Sequence, residues 1–264
     1  MAEQLITDQS LLDKLTESIE EPKVAVKTVA PSNSEVALPG GFITREGSLV
    51  KYAEVRELTG VDEEAISKAG SIGRALNVML QRGLVSLGMD KTNKEDLDSL
   101  LSGDRDAILV GIRCVTFGSS VEYNITCPFC KTALDVTVDI KDGIPTRVLT
   151  DPLEDRTFTY QSKLGEVVVN LPNGSVQRKL MENTDKTVAE LNTMLLAGCV
   201  STINEAPSLG ASSVLKLGMA DRSKLIEEIL ARNPGPRLGE VSTACEACGE
   251  DIPMPLSLAD LFRL

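Results

Sequence analysis

Four cysteines form the pattern in this sequence that is best suited to chemistry. Cys127 and Cys130 form one C-x-x-C pair, and Cys245 and Cys248 form a second. A gap of two residues lets the backbone turn so that both sulfurs face one ion, and four thiolates complete the tetrahedral site that zinc prefers. We therefore predict one structural zinc ion, bound by these four residues. The alternative is that the two pairs pack together without a metal.

The two pairs lie 115 residues apart, much farther than the pairs of a compact zinc ribbon. An internal similarity explains how the fold could bring them together. Residues 76–86 (LNVMLQRGLVS) and 191–201 (LNTMLLAGCVS) are identical at seven of eleven positions. The dipeptide at 104–105 recurs at 221–222, and the cysteine pairs follow in the same order. The pattern predicts an internal duplication whose cysteine turns meet near a pseudo-two-fold axis, and a chance match of two amphipathic helices is the alternative.

Alternating apolar residues flank each cysteine pair and predict strands. Those around the first pair are Val121, Tyr123, Ile125, Leu134, Val136, Val138 and Ile140. Those around the second pair are Val241, Ile252, Met254 and Leu256. A strand, a cysteine turn and a returning strand make the hairpin that a zinc ribbon requires.

Apolar residues at helical spacing predict helices between these hairpins. The predicted ranges are about 71–87, 94–101, 187–201 and 221–232, with a further helix whose N-cap is Asp104. Asp62, Glu63 and Glu64 follow Gly60 and suit the positive end of a helix better than acid–base catalysis. The predicted fold class is α+β, an internally duplicated helical unit with a zinc-ribbon-like cysteine hairpin from each half.

The sequence predicts four segments. They are an N-terminal helix and extended arm over 1–34, a first copy over 35–141, connecting strands over 142–170 and a second copy over 171–264. The arm carries Leu11, Leu12, Leu15 and Ile19 at helical spacing, so it either clamps a neighbouring subunit or folds back on its own domain. The tail from Pro253 carries Leu258, Leu261 and Phe262, and we expect both terminal segments to dock on other subunits.

Charge and composition exclude several partners. The formal net charge of −12 argues against a nucleic-acid-binding surface, which needs clustered Lys and Arg. No basic leader begins the sequence, and no apolar run approaches the length of a membrane span, so we expect neither a membrane protein nor secretion by that route. Six cysteines without a disulfide-like spacing fit a reducing cytoplasm.

The residues give little sign of catalysis. The chain contains no histidine, so it cannot form a Ser-His-Asp or Cys-His arrangement, and it has no phosphate-binding glycine loop. A thiol oxidoreductase is an alternative, but its C-x-x-C would lie at a helix N-terminus, whereas Cys130 leads into a strand. Cys114 and Cys199 lie in apolar helical stretches, and we expect them to be buried. We predict that the protein is not an enzyme.

Four short runs resemble a known family. They are Leu38-Pro39-Gly40-Gly41, residues 55–64 (VRELTGVDEE), Gly103-Asp104-Arg105-Asp106 and residues 123–130 (YNITCPFC). Together they look like the baseplate hub and hub-assembly proteins of T-even-type contractile-tailed bacteriophages. Family members typically have Gly after the second cysteine of this turn, where this sequence has Lys131.

The resemblance implies a structural or assembly component of the tail baseplate in its hub region. Such a component is part of the virion, is assembled in the host cytoplasm and binds other tail and baseplate proteins, with a homo-oligomer as a further possibility. The alternatives are a zinc-ribbon adaptor of a non-phage complex and a tail-assembly chaperone that is absent from the virion.

Overall fold

The computed structural model describes residues 34–183, 185–254 and 256–262. The predicted N-terminal helix and arm over 1–34 lie outside the described residues, apart from Ser34. The described chain mixes helices and antiparallel sheets, in agreement with the predicted α+β class. Within this described part, no helix has the combination of length and hydrophobicity that a membrane span requires.

A four-stranded antiparallel sheet begins the described chain, with two helices inserted between its second and third strands. Its elements are β1 (Glu35–Ile43), β2 (Leu49–Val55), α1 (Gly60–Ser67), α2 (Ile72–Gly83), β3 (Leu84–Leu87) and β4 (Asp90–Lys91). The strand order is β1-β2-β3-β4. Ala53 in β2 lies opposite Val36 on one side and Leu87 on the other, and its side chain is buried.

Two helices and the first cysteine hairpin follow this sheet. They are α3 (Lys94–Ser99), α4 (Ser102–Phe117), β5 (Ser120–Thr126) and β6 (Ala133–Asp139), after which comes the short strand β7 (Thr146–Arg147). The hairpin is paired along its whole length, with Val121 opposite Val138 and Ile125 opposite Leu134. This is the strand, turn and strand predicted around Cys127 and Cys130.

The second half of the described chain has its own four-stranded sheet, again with two helices between its second and third strands. The elements are β8 (Thr157–Ser162), β9 (Gly165–Asn170), α5 (Gly174–Met181), α6 (Val188–Cys199), β10 (Val200–Ile203) and β11 (Ala206–Pro207). The strand order is β8-β9-β10-β11. Of the strands predicted within 142–170, β9 therefore pairs with β10, which follows α6.

The remaining elements end at the second cysteine hairpin. They are α7 (Ala211–Val214), α8 (Met219–Arg232), β12 (Gly235–Pro236), a 3₁₀ turn (Leu238–Glu240), β13 (Ser242–Ala244), β14 (Asp251–Pro253) and α9 (Leu258–Phe262). β12 pairs with β7, so a small two-stranded ribbon connects the two halves. The hairpin of β13 and β14 surrounds Cys245 and Cys248, as predicted.

Each half contains a buried apolar cluster. The larger cluster joins β1 and β2 to α2 and α4, with Leu80, Ile108 and Ile112 almost fully buried. The second cluster lies between β9, α6 and α8 and includes Val167 and Leu225. The burial of aliphatic side chains in both clusters is the main stabilising contribution in a chain with few aromatic residues.

The prediction that one helix covers 71–87 was wrong at its C-terminal end, because α2 ends at Gly83 and Leu84–Leu87 form β3. A Cβ atom on Gly83 would lie 2.6 Å from Cδ1 of Ile112 in α4, so the end of α2 is in close contact with α4. Beyond that point the backbone hydrogen bonds pass to β2. The helix predicted over 187–201 likewise ends at Cys199 and gives way to β10.

The expectation that the C-terminal apolar residues form a docking surface for other subunits was also wrong. Leu258 and Leu261 are buried in the larger cluster, and Phe262 packs against it. Nε of Arg113 in α4 donates to the carbonyl oxygen of Leu261 at 2.7 Å. The described part of the tail therefore completes the core of the protein, because its apolar side chains fill a gap beside α4.

Candidate metal centre

The first cysteine turn is a tight loop between β5 and β6. The backbone N–H of Lys131 donates to the carbonyl oxygen of Cys127 at 3.0 Å, and the N–H of Cys127 donates to the carbonyl oxygen of Thr132 at 2.9 Å. The N–H of Cys130 points at the sulfur of Cys127, with an N–S distance of 3.5 Å. These contacts direct both sulfurs toward the same side of the hairpin end.

The second cysteine turn repeats this geometry. The N–H of Gly249 donates to the carbonyl oxygen of Cys245 at 2.8 Å, and the N–H of Cys245 donates to that of Glu250 at 2.9 Å. In both turns the first cysteine is buried and the second is exposed. The two turns therefore present their sulfurs in the same way.

The structure brings all four predicted ligands together. Sγ of Cys127 lies 3.8 Å from Sγ of Cys248, and Sγ of Cys130 lies 3.6 Å from Sγ of Cys245. All four sulfurs lie within 4.8 Å of one another. The first cysteine of each turn is thus closest to the second cysteine of the other turn, which is a locally two-fold arrangement.

The sulfur spacing fits a metal ion. A tetrahedral site with metal–sulfur bonds of about 2.3 Å places its sulfurs about 3.8 Å apart, and the two shortest distances match that value. None of the six cysteines, all of which lie in the described part of the chain, forms a disulfide. Cys127, Cys130, Cys245 and Cys248 could therefore hold a metal ion.

The pKa values of the two exposed cysteines also favour a bound cation. Hydrogen bonds with the side chain and backbone of Thr132 lower the pKa of Cys130 to about 6. At Cys248 a hydrogen bond with the backbone of Glu250 lowers the pKa, but desolvation and the other three sulfurs outweigh it and raise the pKa to about 12. Four thiolates this close repel one another, so a bound cation is needed before all four can ionise together.

Lys131 occupies a backbone conformation that usually favours glycine. Its φ is 64°, and Gly249 at the matching position of the second turn has a φ of 77°. The side chain of Lys131 reaches back, and its Nζ donates to the carbonyl oxygen of Pro128 at 2.8 Å. The lysine therefore adopts the same turn as the glycine despite the cost of a Cβ atom in the left-handed region.

The other two cysteines lie away from this cluster. Cys199 is buried in the second apolar cluster, and burial raises its pKa to about 12. Cys114 is half-buried, and desolvation raises its pKa as well. Both thiols are therefore protonated at neutral pH and contribute apolar packing.

A second polar site surrounds the start of α4, where the sequence patterns singled out residues 103–106 but did not predict their buried contacts. Asp104 is the third residue of α4 rather than its N-cap, because the helix already begins at Ser102. Its Oδ1 accepts the backbone N–H of Gly40 at 2.6 Å, while its Oδ2 is buried without a hydrogen-bond partner among the described residues. Burial raises the pKa of Asp104 to about 7.

The next residue, Arg105, connects the two halves of the chain. Its Nη1 donates to the carbonyl oxygen of Leu97, its Nη2 to Asn77, and its Nε to Oε1 of Gln177 in α5 at 2.7 Å. Nε2 of Gln177 in turn donates to Asp106 at 2.7 Å. The run 103–106 is thus a buried structural motif, and its recurrence as Asp221-Arg222 was the signal that could have revealed it.

The acidic run at the start of α1 has a structural role. Asp62 and Thr59 form a capping box, and Arg56 and Arg82 both pair with the buried carboxylate. The hydrogen bond from Arg56 is the main reason that the pKa of Asp62 lies far below its ordinary value. The prediction that these carboxylates begin a helix is confirmed.

Comparison with known proteins assigns the chain to a family. Residues 54–262 match the family model described as T4 bacteriophage base plate protein, which covers more than half of the 264 residues. Neither the curated proteins nor the solved structures give a match. The matched range contains both cysteine turns, the α4 motif and the start of α1. The chain therefore belongs to the T4 bacteriophage base plate protein family.

Proposed function

We propose that this protein is a structural or assembly component of the hub region of a contractile phage tail baseplate, where it acts by binding other tail proteins. Family membership supports a baseplate role. The hub assignment depends on the resemblance of residues 38–41, 55–64, 103–106 and 123–130 to hub and hub-assembly proteins. The protein is then assembled in the host cytoplasm and carried in the virion.

The observation that carries this proposal is the joining of two distant hairpins by four sulfurs. Cys127 and Cys245 are buried and lie on hairpins from different halves of the chain. We infer that the ion is zinc, because four thiolates in a reducing compartment suit zinc and its tetrahedral geometry. Four protein ligands leave no open position for substrate, so the ion has a structural role, and the protein acts through its surfaces rather than as an enzyme.

We further infer that the two halves are copies of one unit. The two sheets have the same strand order, each with two helices between its second and third strands, and each unit continues through two helices into a cysteine hairpin. Asp104 and Asp221 are both third residues of their helices, and each accepts a backbone N–H from the first hairpin of its own sheet, at Gly40 and Lys163. Chance similarity of two helices would not reproduce this contact.

One observation favours a second candidate function. Cys130 is exposed and its pKa is lowered to about 6, and these are properties of a reactive thiol. A thiol oxidoreductase would use Cys130 as its nucleophile. The turn joins two strands rather than preceding a helix, and three more sulfurs surround it, so we favour the metal site.

Metal analysis tests the zinc proposal. We expect about one equivalent of zinc per chain in protein purified without chelator, and almost none after Cys127→Ser or Cys245→Ser. Cys114→Ser, which alters a thiol outside the cluster, is the matched control and should retain the zinc. Less than half an equivalent in the unaltered protein, or a disulfide within each turn, would contradict the proposal and favour the thiol alternative.

Mass spectrometry of purified virions tests the location. A virion component is expected in a fixed ratio to other baseplate proteins. Detection only in assembly intermediates would overturn the virion location and support a chaperone that is left behind. Absence from both virions and intermediates would favour the adaptor of a non-phage complex.

A further inference from the structure

One helix of the second half lies in a groove of the first half. α5 packs against α2, α3 and α4. Arg178 in α5 pairs with Asp98 at 2.8 Å, and the N–H of Gly174 donates to the carbonyl oxygen of Leu100 at 2.8 Å. A Cβ atom on Gly73 in α2 would lie 2.6 Å from the carbonyl oxygen of Met181, so the helices are in close contact. The groove formed by α2, α3 and α4 is therefore filled.

The corresponding groove of the second half is not filled by any residue that the structure describes. It lies along α6, α7 and α8, has a volume of about 560 Å³, and is lined by residues that include Lys186, Met194, Leu215, Met219 and Arg222. If the halves are copies, as proposed above, α6, α7 and α8 correspond to α2, α3 and α4. The second half then has the receiving surface but no helix lying in it among the described residues.

Matching positions of the two halves differ in exposure and polarity, and the difference indicates that the groove of the second half is covered by a partner. The first residue of α4 is Ser102, which is 7% exposed, whereas the first residue of α8 is Met219, which is 87% exposed. Four residues earlier, Asp98 corresponds to Leu215, which is 63% exposed. Exposed apolar side chains at positions that the first half covers mark a contact with a protein.

The arginine at the base of the open groove has the same arrangement as its counterpart. Nη1 of Arg105 donates to the carbonyl oxygen of Leu97, and Nη1 of Arg222 donates to that of Val214, at the corresponding position. Nη2 of each arginine donates to a side chain of the long helix, at Asn77 and Thr193. The Nε of Arg105 donates to α5, while the Nε of Arg222 makes no hydrogen bond with any residue that the structure describes.

The helix that corresponds to α5 is α1. Both helices have eight residues and follow the second strand of their sheet, with Asn173 and Thr59 as N-caps. Gln177, which binds Arg105, is four residues after its N-cap, and the residue four after Thr59 is Glu63. Val61 and Glu63 are exposed on α1. A carboxylate at this position is complementary to the Nε of Arg222.

We propose that α1 of a second copy of this chain docks in the open groove along α6, α7 and α8, so that copies associate head to tail. This inference depends on the proposed duplication. Met219 and Leu215 form the apolar floor of the contact, and Glu63 of the incoming helix pairs with Arg222. Because the two surfaces differ, the contact is heterologous and repeats from copy to copy until a ring closes or a chain forms.

Analytical ultracentrifugation of the full chain over a range of concentrations tests the proposal. We expect reversible association of the unaltered protein. Met219→Glu in the groove and Glu63→Arg on α1 should each weaken the association by about tenfold or more. Met89→Glu and Glu46→Arg make the same changes on exposed turns of the first sheet, and both should associate like the unaltered protein.

A mixture of the two groove-and-helix variants gives the sharpest result. Met219→Glu chains retain an intact α1, and Glu63→Arg chains retain an intact groove, so each alone should be monomeric and the mixture should form dimers that grow no further. The proposal is overturned if the unaltered protein is monomeric at every concentration. It is also overturned if neither variant weakens association or if the mixture stays monomeric.

Two further measurements separate this inference from the proposed function. Circular dichroism and thermal unfolding check that each variant is folded. We expect an intact fold because the altered residues are exposed. Zinc content is measured on the same samples, because the groove lies outside the cysteine cluster. If the protein associates but contains no zinc, the zinc proposal fails and the proposed interface stands. If it contains zinc but does not associate, only the proposed interface fails.

Discussion

Lys131 shows how one residue can keep a turn that its side chain disfavours. Its left-handed backbone is the conformation that closes the cysteine turn and directs both sulfurs inward, and Gly249 supplies it at no steric cost in the second turn. The hydrogen bond from its Nζ to Pro128 is exposed and therefore contributes little. The position is constrained by backbone geometry, while the side chain is replaceable.

We expect Lys131→Gly to stabilise the metal-loaded protein by about 0.5–1 kcal/mol. Relief of the left-handed strain contributes roughly 1–2 kcal/mol, and the greater freedom of glycine in the unfolded chain offsets part of it. Chemical denaturation measures the change. The matched control is Gly249→Ala, which should lower stability by about 1 kcal/mol. A destabilised Lys131→Gly protein would show that the Nζ contact matters more than the backbone.

Asp104 predicts a pH dependence of stability. Burial raises its pKa to about 7, above that of the unfolded chain. The protonated carboxyl therefore favours folding, and its contribution is complete below about pH 4 and is lost as the pH rises through about 7. Asp104→Asn keeps an acceptor for the N–H of Gly40 and removes the charge, so at pH 8 it should be more stable than the unaltered protein by up to about 4 kcal/mol.

Denaturation at several pH values checks this, with Asp221→Asn as the control. The carboxylate of Asp221 accepts hydrogen bonds from Tyr160 and Lys163, so its replacement should reduce stability. Parallel stability curves for Asp104→Asn and the unaltered protein would contradict the assignment, because they would mean that Asp104 does not titrate in this range.

At the scale of elements, α4 and β12 lie so close together that a glycine is needed where they meet. Among the described glycines, an added Cβ atom on Gly103 would come nearest to another atom. A Cβ atom on Gly103 would lie 1.5 Å from the carbonyl oxygen of Pro234 and 3.0 Å from Cα of Gly235. Backbone atoms cannot rotate away as a side-chain end can. The glycine of the run 103–106 is therefore required by the crossing of a helix and a strand from the two halves.

We expect Gly103→Ala to destabilise the protein by about 3 kcal/mol or more, because the two backbones must separate. Gly239→Ala, whose Cβ would meet no atom within 4 Å, is the control and should change stability little. Thermal and chemical unfolding measure both variants. A loss below about 1 kcal/mol for Gly103→Ala would mean that α4 and β12 can move apart freely.

The sequence predicted elements best where local signals were strong. Alternation around the cysteines identified both hairpins, since period-two patterns with a turn between them have few alternatives. The ends of α2 and α6 were missed because apolar residues continue into β3 and β10, and only pairing with β2 and β9 converts them to strands. Spacing placed the four cysteines at one site, but the buried contacts of Asp104 and Arg105 depend on residues up to 72 positions away.

At the scale of the whole molecule, several contacts among the described residues join the two halves, including that of α9 with α4. α5 fills the groove of the first half, β7 pairs with β12, and the cysteine turns meet at one cluster. Only the last depends on a bound ion under our proposal. On this proposal, the metal contributes to global stability rather than to one hairpin, because the second cysteine hairpin leads into α9, which completes the larger core.

We expect removal of the metal by a chelator to lower the unfolding midpoint of the whole protein. A structural zinc site contributes on the order of 10 kcal/mol of apparent binding free energy, part of which the apo protein loses. Cys245→Ser should behave like chelated protein and should not respond to chelator. Cys114→Ser should respond as the unaltered protein does. An unfolding midpoint that is the same with and without chelator would contradict a stabilising metal.

The long separation of the two cysteine pairs also determines when the site can close during synthesis. Cys130 leaves the ribosome 115 residues before Cys245, which at ordinary elongation rates is on the order of ten seconds. Under the zinc proposal, the nascent chain holds only two of the four ligands during that interval and would bind an ion weakly. A chain that stops before Cys248 can never close the site, so a filled site identifies chains whose translation has passed both hairpins.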